Sequence, residues 1–549
     1  MLHVDERCCG SKGAVVSDEL QVLRRMTRTE LRGADRLYPR VTIDAFPDNV
    51  FIEIFEFYLG KDNPDRVLFG DNHYDGWHTL VHVCRRWRCI VFASPRRLDL
   101  KLYCTGQRSV NSKTLGIWPE LPIVVFSVGM QQYKEDVTNL IAALRQHNRV
   151  CKVGCYTGKN SLLEEFAEID EPFPALTSLR LFSSAPNVPV LPDSFLGGSA
   201  PRLRSLYLDG IPYPSIGKLL SSTTNLVQLT LLDIPHSGYI SPETIVPCLS
   251  MLPRLGFLQL GFQHPRSPAR RASRHPPPLT RVVFPNLTSL HFHGDSEYLE
   301  DILSQIETPM LNESYFGFFN QLVFDTPQLG HFIRRTETFM TTYMAHVEFN
   351  SWRVRVTLWE REEMANDDAL SAAANILLSD GVETRSLSIF CEPLDWQLSA
   401  LPQVLNSFLP SLSTLESLEI AVSHEDWQDE IEVIQWREFF HPFTSMKIMT
   451  LQDEASVRLV VPALRELSGE RAVEVLPALQ NLSLTTSGSS PSRPLKEAIE
   501  EFIATRQLSG HPVTVHYEDT ENDEDTENYE DTENYEDTEN YEDSESEEE

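Results

Sequence analysis

The chain has 549 residues, with 47 Lys and Arg against 80 Asp and Glu, and a formal net charge of −33. Nineteen of the acidic residues lie in 518–549, which leaves 61 acids against 47 bases, a net charge of −14, over the first 517 residues. An apolar content of 41% excludes a wholly disordered chain, and an acidic body disfavours nucleic acid as the main partner, because phosphate contacts need Lys and Arg.

Targeting signals are sparse in this sequence. No stretch reaches the ~18 consecutive apolar residues that a membrane helix requires, and the first residues carry no apolar core of the signal-peptide kind. The nine cysteines are scattered and odd in number, so a secreted disulfide framework is disfavoured. We therefore expect a cytoplasmic or nuclear protein, or both, without membrane contact.

The first helical pattern follows a mixed, polar segment, 1–40, which we interpret as a flexible leader. Pro47 suits the first position of a helix, where its missing N–H costs nothing. Two apolar stripes follow it at helical spacing, Val50, Ile54 and Phe57 and, one residue further on, Phe51, Phe55 and Tyr58. A small helical unit can bury one of these stripes, so the other needs a partner.

A second helical pattern follows the polar linker 60–76. Its apolar residues step by three and four residues and are Trp77, Leu80, Cys84, Trp87 and Val91. Pro95 ends the pattern. We take 41–103 as one small helical module.

A phrase of the form Pro-x-Leu-x-x-Leu-x-Leu recurs between 173 and 516. Its first markers are Leu179, Leu206, Leu229, Leu258 and Leu290, at steps of 27, 23, 29 and 32 residues. Later markers are Leu387, Leu418, Met449 and Leu482, at steps of 31, 31 and 33. We expect two weaker units between these sets, near 322–324 and 354–358.

The repeat predicts a solenoid of the α/β class, made of parallel strands and helices. In Leu-x-Leu both side chains lie on one face of a strand, and helix-like stretches separate the phrases, such as 296–307, 367–379 and 407–416. Stacked strand–helix units bury a continuous core. The place where strict leucine-rich repeats carry Asn or Cys is held by Ser184, Ile211, Ile234 and Gln263, so the array, taken as 104–516, is degenerate and lacks an asparagine ladder.

Two charged segments interrupt or follow the array. Residues 263–281 hold five arginines and five prolines and no acid, which is typical of a disordered loop. Within it, Ser273 follows Arg270-Arg-Ala and has the spacing of a basophilic kinase site. Residues 517–549 repeat an acidic hexamer and should be a disordered tail. The opposite charges of loop and tail predict a salt-sensitive contact between them.

Metal and catalytic motifs are weak. Cys151 and Cys155 could hold a metal, but no second pair with zinc spacing follows, and core thiols are the favoured interpretation. His291 and His293 should face one side of a strand, where a third ligand is not evident. Phosphate-binding, zinc-protease, serine-hydrolase and kinase motifs do not occur. We therefore assign no catalytic residue, no metal and no cofactor.

Three segments of the N-terminal module resemble the F-box: FPDNVFIEIF (46–55), LVHVCRRWRCIV (80–91) and ASPRRLDL (93–100), with Phe46 and Asn49 in place of the usual leucine and acid. Together with the degenerate repeats and the ending ATRQLSGHPVTV (504–515), they resemble the F-box/leucine-rich-repeat proteins abundant in mushroom-forming fungi. The resemblance implies a three-helix module that docks on the adaptor Skp1 and through it on a cullin, while the array binds a protein substrate. The implied protein is the non-catalytic, substrate-recognition subunit of a Skp1–cullin–F-box ubiquitin ligase.

The positions carried over as facing Skp1 are Phe46, Pro47, Val50, Phe51, Ile54, Phe55, Val83, Cys84 and Trp87. Two alternatives remain open at this point. The helices could simply cap the array, or the protein could be a non-catalytic scaffold or chaperone whose acidic tail holds basic proteins such as histones. An enzymatic function has no supporting motif.

Overall fold

The computed structural model of the protein describes residues 43, 46–59, 76–105, 120–127, 134–157, 161–185, 187–265, 280–336, 342–360, 385–408, 412–423, 433–467, 475–486 and 493–519. The chain forms two compact units, Met1–Val124 and Val125–Glu549, whereas the sequence placed the boundary after residue 103. The predicted leader, the linker 60–75, the basic segment with Ser273, the helix-like stretch 367–379 and residues 520–549 of the tail lie outside the described residues.

The described residues of the first unit form the helices α1 (Asp48–Leu59), α2 (Gly76–Val83) and α3 (Arg85–Ala93) and the strand β1 (Leu102–Thr105). The expectation of one uninterrupted second helix is wrong, because Cys84 is extended, with φ −156° and ψ 171°. Its Sγ accepts a hydrogen bond from the Trp87 N–H at 3.4 Å and caps α3. The break separates α2 from α3.

Aromatic packing holds α1 against α3. Phe51 and Phe55 are fully buried, and their ring centroids lie 5.7 Å and 4.9 Å from that of Trp87. Arg86 closes the edge of this core, since its guanidinium donates to the Phe46 carbonyl and to Asp48 Oδ1, both at 2.7 Å. Two residues of one predicted stripe, Phe51 and Phe55, therefore form the core of the unit, whereas the third, Tyr58, is exposed.

Strand β2 (Ile123–Ser127) spans the boundary between the two units at Val124 and Val125. The second unit alternates strands and helices. Its strands are β3 (Val150–Thr157), β4 (Ser178–Ser183), β5 (Ser205–Asp209), β6 (Gln228–Ile234), β7 (Phe257–Phe262), β8 (Val282–Val283), β9 (Ser289–Gly294), β10 (Ile306–Glu307), β11 (Glu313–Phe319), β12 (Thr342–Phe349), β13 (Val354–Glu360), β14 (Arg385–Phe390), β15 (Ser417–Val422), β16 (Ile448–Leu451), β17 (Asn481–Thr486) and β18 (Thr514–Asp519).

The helices of this unit are α4 (Lys134–Leu144), α5 (Ser161–Ala167), α6 (Ile216–Leu220), α7 (Pro242–Ser250), α8 (Ser296–Gln305), α9 (Pro327–Arg335), α10 (Leu394–Leu405), α11 (Val433–Phe440), α12 (Glu454–Leu467) and α13 (Arg493–Leu508). Short 3-10 turns cover Phe195–Gly198, His236–Gly238 and Asn406–Phe408. In the part of the chain that the structure describes, each helix is too short or too polar to cross a bilayer.

The strands of the second unit form a large, mainly parallel sheet, in the order β3-β4-β5-β6-β7-β9-β11-β14-β13-β12-β15-β16-β17-β18. A separate parallel pair joins β8 to β10. The fold is therefore α/β, as the sequence predicted. One prediction is wrong: 354–358 is a strand, β13, but it runs antiparallel to both of its neighbours, β12 and β14.

The marker leucines lie in register along the parallel sheet. Leu179 pairs with Leu206, and the same row continues through Leu229, Leu258 and Leu290. A second row, two residues further along each strand, contains Leu181, Leu208, Leu231, Leu260 and Phe292. The side chains of both rows are buried. The repeat period is therefore confirmed at the level of individual pairs.

A backbone ladder occupies the entry to these strands. The carbonyl of the residue before each strand accepts two N–H groups of the next unit, so that Thr177 O binds Arg204 N and Ser205 N at 2.8 Å and 3.2 Å. The same double acceptance recurs at the carbonyls of Arg204, Val227 and Gly256. Buried backbone groups need partners, and here the main chain supplies this connection without an asparagine ladder.

The remaining predictions of helices, repeat units and the start of the tail are confirmed in some places and wrong in others. The helix predicted in 296–307 is confirmed as α8. The weak unit predicted near 322–324 is wrong, because Leu322 is 87% exposed and lies outside any strand. In 407–416 the first two residues belong to the 3-10 helix Asn406–Phe408, Leu412 is helical and 413–414 form a turn, whereas 409–411 lie outside the described residues. Strand β18 continues to Asp519, past the predicted start of the tail at 517.

Candidate functional site

The first candidate surface is the exposed side of the N-terminal helical unit. Of the residues predicted to face Skp1, Phe46, Pro47, Ile54, Val83 and Cys84 are exposed, and Val50 and Trp87 are half-buried. Phe51 and Phe55 are buried in the core. We therefore remove these two from the docking set, because a side chain without exposed area cannot contact a partner.

Two exposed aromatic residues on α1 were missing from the predicted set. Phe57 is 91% exposed and Tyr58 is 55% exposed, against 41% for Ile54. Val50, Ile54 and Phe57 follow one another at i, i+4 and i+7, which places them on one face of the helix. We call these three residues the α1 stripe. The spacing in the sequence was sufficient to include Phe57.

Ion pairs fix the polar side of α1. Arg97, in the segment that follows α3, pairs with Glu53 and Glu56, and Trp77 Nε1 donates to the Lys101 carbonyl at 3.0 Å. These contacts tie α1 and α2 to the segment 93–101. The polar side of α1 is thus satisfied within the unit, while the α1 stripe has apolar area left in solvent.

The second candidate surface is a pocket of about 620 Å³ at the carboxyl ends of the strands from β3 to β7. Tyr156 and Phe182 form one wall, with ring centroids 6.4 Å apart, and Phe182 lies 4.7 Å from Tyr207. Asp209 and Asp233 line the pocket beside them. We call this the carboxylate pocket.

The two carboxylates of the carboxylate pocket lie at the carboxyl ends of neighbouring strands, Asp209 in β5 and Asp233 in β6. Tyr207 Oη donates to Asp209 Oδ2 at 3.1 Å. Burial raises the pKa of Asp209 above its ordinary value, and the charge of Asp233 raises it further. Burial also raises the pKa of the Tyr207 hydroxyl, as does the charge of Asp209. Neither carboxylate forms an ion pair with any residue that the structure describes.

A glycine with left-handed backbone closes the floor of this pocket. Gly210 directly follows Asp209 and has φ +67°. A Cβ placed on it would lie 2.1 Å from the Ser183 carbonyl oxygen, and its own N–H donates to the Leu232 carbonyl at 3.0 Å. The neighbouring strands can approach this closely only where no side chain intervenes.

Replacing Asp209 with asparagine should raise the Tm of the protein at pH 7, by about 2 °C. Because the folded pKa is raised, the folded state binds the proton more tightly, and stability falls as pH increases from the ordinary aspartate pKa through the raised value. Asparagine carries no charge, so the loss of stability at neutral pH disappears. Its side-chain oxygen can still accept the hydrogen bond from Tyr207 Oη. Calorimetry at pH 7 and pH 4 measures the change, and the gain should shrink at pH 4. The exposed Asp170→Asn change is the control, and equal Tm values for it and D209N at pH 7 would contradict the prediction.

The other candidate ligand groups do not assemble into a metal site. His291 and His293 face one side of β9 as predicted, but His291 binds Glu313 at 2.9 Å and His293 lies between the rings of Phe319 and Phe390. Burial lowers the pKa of His293. Cys155 is buried, which raises its pKa to about 12. Among the described residues no three His, Cys, Asp or Glu side chains are grouped to hold a metal ion.

The chain is similar to solved structures but to no protein family or curated protein. No protein-family model matches the chain, and no curated protein matches it. Among solved structures, the chain is similar to the leucine-rich repeat-containing protein LegL7 from Legionella pneumophila. The identity is 16% and the TM-score is 0.25, and the match covers 63% of this chain and 94% of that one.

Proposed function

We propose that the protein is a non-catalytic substrate-recognition subunit of a Skp1–cullin–F-box type ubiquitin ligase. The α1 stripe is the observation that supports this proposal most directly. Val50, Ile54 and Phe57 lie on a helix of which Phe51 and Phe55 already fill the core. A helix with a second apolar face fits docking on a partner surface through anchors at i, i+4 and i+7.

The partner proposed for this face is a Skp1-type adaptor, and through it a cullin. The segments that resemble the F-box supply the choice of partner. Phe46, Val83 and Cys84 add exposed area next to the helices of the unit. Aromatic and aliphatic side chains that become fully buried contribute most of the energy of such interfaces, so Ile54 and Phe57 should be the main anchors.

The second unit would bind the substrate in this proposal. A large sheet of stacked strand–helix units offers a long row of outward side chains, and the carboxylate pocket is one concave part of it. Ubiquitin transfer would be carried out by the other subunits of the ligase, so no catalytic residue, metal or cofactor is required here. The protein would act in the cytoplasm, in the nucleus or in both.

Replacing Ile54 with aspartate should weaken capture of a fungal Skp1 by about a hundredfold, because the variant places a charge in the centre of an apolar interface. The measurement is co-purification of the full chain with tagged Skp1, followed by titration calorimetry. Leu322→Asp is the matched control, since Leu322 is 87% exposed and lies in the other unit. Capture of I54D equal to that of L322D would rule out the proposed docking face.

The acidic tail supports a second candidate, a chaperone or scaffold that holds basic proteins. Residues 518–549 contain 19 acids and no base, and such segments attract basic partners over short distances at physiological salt. Removal of 520–549 should abolish binding of a basic protein such as a histone under this alternative. Under the ligase proposal the same truncation leaves Skp1 capture unchanged.

A further inference from the structure

The carboxylate pocket combines two features that suit an organic cation. Its aromatic wall, Tyr156 and Phe182, offers π-faces, and Asp209 and Asp233 bring two carboxylates to the same cavity. A guanidinium group stacks on aromatic rings and binds carboxylates through paired N–H donors. We propose that the carboxylate pocket binds an arginine side chain of a basic segment in a partner protein, with the guanidinium between the two carboxylates and against the aromatic wall.

The charge balance of the pocket supports this occupant. Asp209 is half-buried, and neither it nor Asp233 forms an ion pair with a described residue. Arg180 is the cation whose charge reaches Tyr207, but it does not line the pocket. Two neighbouring carboxylates without a cation repel each other, and the half-buried Asp209 is also poorly solvated, whereas Asp233 is exposed. An arginine from outside removes both costs on binding.

The dimensions of the pocket suit a short peptide segment. Its volume of about 620 Å³ falls within the range of roughly 300–1,000 Å³ that is typical of ligand sites. Polar side chains complete the lining, among them Ser184, Asn187, Ser237 and Gln263. These groups can hydrogen-bond to the peptide backbone on either side of the arginine, which favours a protein segment over a free cation.

The chain itself contains a competitor for this site. Gln263 lines the pocket, and Arg266, Arg270, Arg271 and Arg274 follow within the next residues of the sequence. A basic segment tethered this close would have a high effective concentration at the pocket. The test must therefore distinguish a partner segment from the chain's own arginines.

The experiment measures binding of a fluorescein-labelled peptide, GRSGRSGRSGRS, to the full chain by fluorescence anisotropy. The double variant Asp209→Asn/Asp233→Asn should weaken binding at least tenfold. The matched control Glu164→Gln/Glu165→Gln removes the same charge from exposed positions on α5 and should change the affinity less than twofold. The peptide with citrulline in place of arginine should bind the parent as poorly as the arginine peptide binds the double variant.

Several results would overturn the proposal. Equal affinity of the parent and the double variant excludes an arginine of a partner in this pocket. If a variant with Arg266, Arg270, Arg271 and Arg274 changed to Gln then gains carboxylate-dependent binding, the occupant is the chain's own segment. The single variant D233N repeats the test with a smaller change, and a melting curve of each variant shows whether it is folded. The inference rests on the proposed function only for the nature of the partner, a protein substrate. The peptide assay contains no Skp1, so arginine binding by the pocket and Skp1 binding by the α1 stripe can each fail without the other.

Discussion

Replacing Gly210 with alanine is expected to lower the free energy of unfolding by roughly 4 kcal/mol, a loss of about 5 °C in Tm for a chain of this size. Gly210 has φ +67°, and an added Cβ would lie 2.1 Å from the Ser183 carbonyl oxygen. The obstacle is backbone, so a change of side-chain rotamer cannot remove it. The strands β4 and β5 would have to separate at the floor of the carboxylate pocket. Chemical denaturation of G210A measures the change.

Gly510 provides a matched control for this prediction. It also has a positive φ, +82°, but nothing lies within 4 Å of the position where a Cβ would stand. Gly510→Ala should therefore cost only the conformational penalty, about 1 kcal/mol. If G210A and G510A unfold at the same denaturant concentration, the close approach of the Ser183 carbonyl is not a constraint on the folded protein.

Replacing Phe55 with alanine should destabilise the N-terminal helical unit by about 3–5 kcal/mol, the usual cost of deleting a buried aromatic ring. Phe55 is fully buried, and its ring lies 4.9 Å from that of Trp87 and 5.9 Å from that of Phe51. The cavity would remove the contact that joins α1 to α3. Amide hydrogen exchange in residues 48–59 and 85–93 reports the loss of local stability.

Phe57→Ala, two residues further along the same helix, is the control. Its side chain is 91% exposed, so its removal should leave exchange protection unchanged, within about 0.5 kcal/mol. Under the proposed function, F57A should nevertheless reduce Skp1 capture. Equal loss of protection in F55A and F57A would mean that the buried and exposed stripes of α1 are wrongly assigned.

The parallel part of the fold was predictable because Leu-x-Leu repeats directly report which residues share a face of a strand. The reversal at β13 was not predictable, since Val354, Val356 and Leu358 alternate in the same way in a parallel or an antiparallel strand. The break at Cys84 was also hidden, because the spacing of apolar residues continues across it. The prediction at Leu322 failed for a different reason, because this apolar side chain remains exposed in the folded protein.

The candidate sites were predictable to different degrees. Two apolar stripes on α1 were visible in the sequence, but the sequence could not decide which stripe is buried, and that choice removes Phe51 and Phe55 from the docking set. The carboxylate pocket was missed altogether. Asp209 and Asp233 each look like an ordinary polar residue near the end of a strand, and they meet only because β5 and β6 are paired with Asp209 opposite Leu232.

The reversed strand has a consequence for the order in which the second unit can fold. An array of like units can grow by adding each strand to the one before it, but β11 pairs with β14, and β12 pairs with β15. The three strands β12, β13 and β14 are joined by antiparallel pairs, and a four-residue turn at 350–353, in which Asn350 Oδ1 accepts from Trp352 N and Arg353 N, connects the first two. These local pairs close fast. Because the sheet runs β11-β14-β13-β12-β15, β12 and β13 have no parallel neighbour to dock on until β14 and β15 are in place, so we expect that the array cannot grow past β11 by adding one unit at a time in chain order.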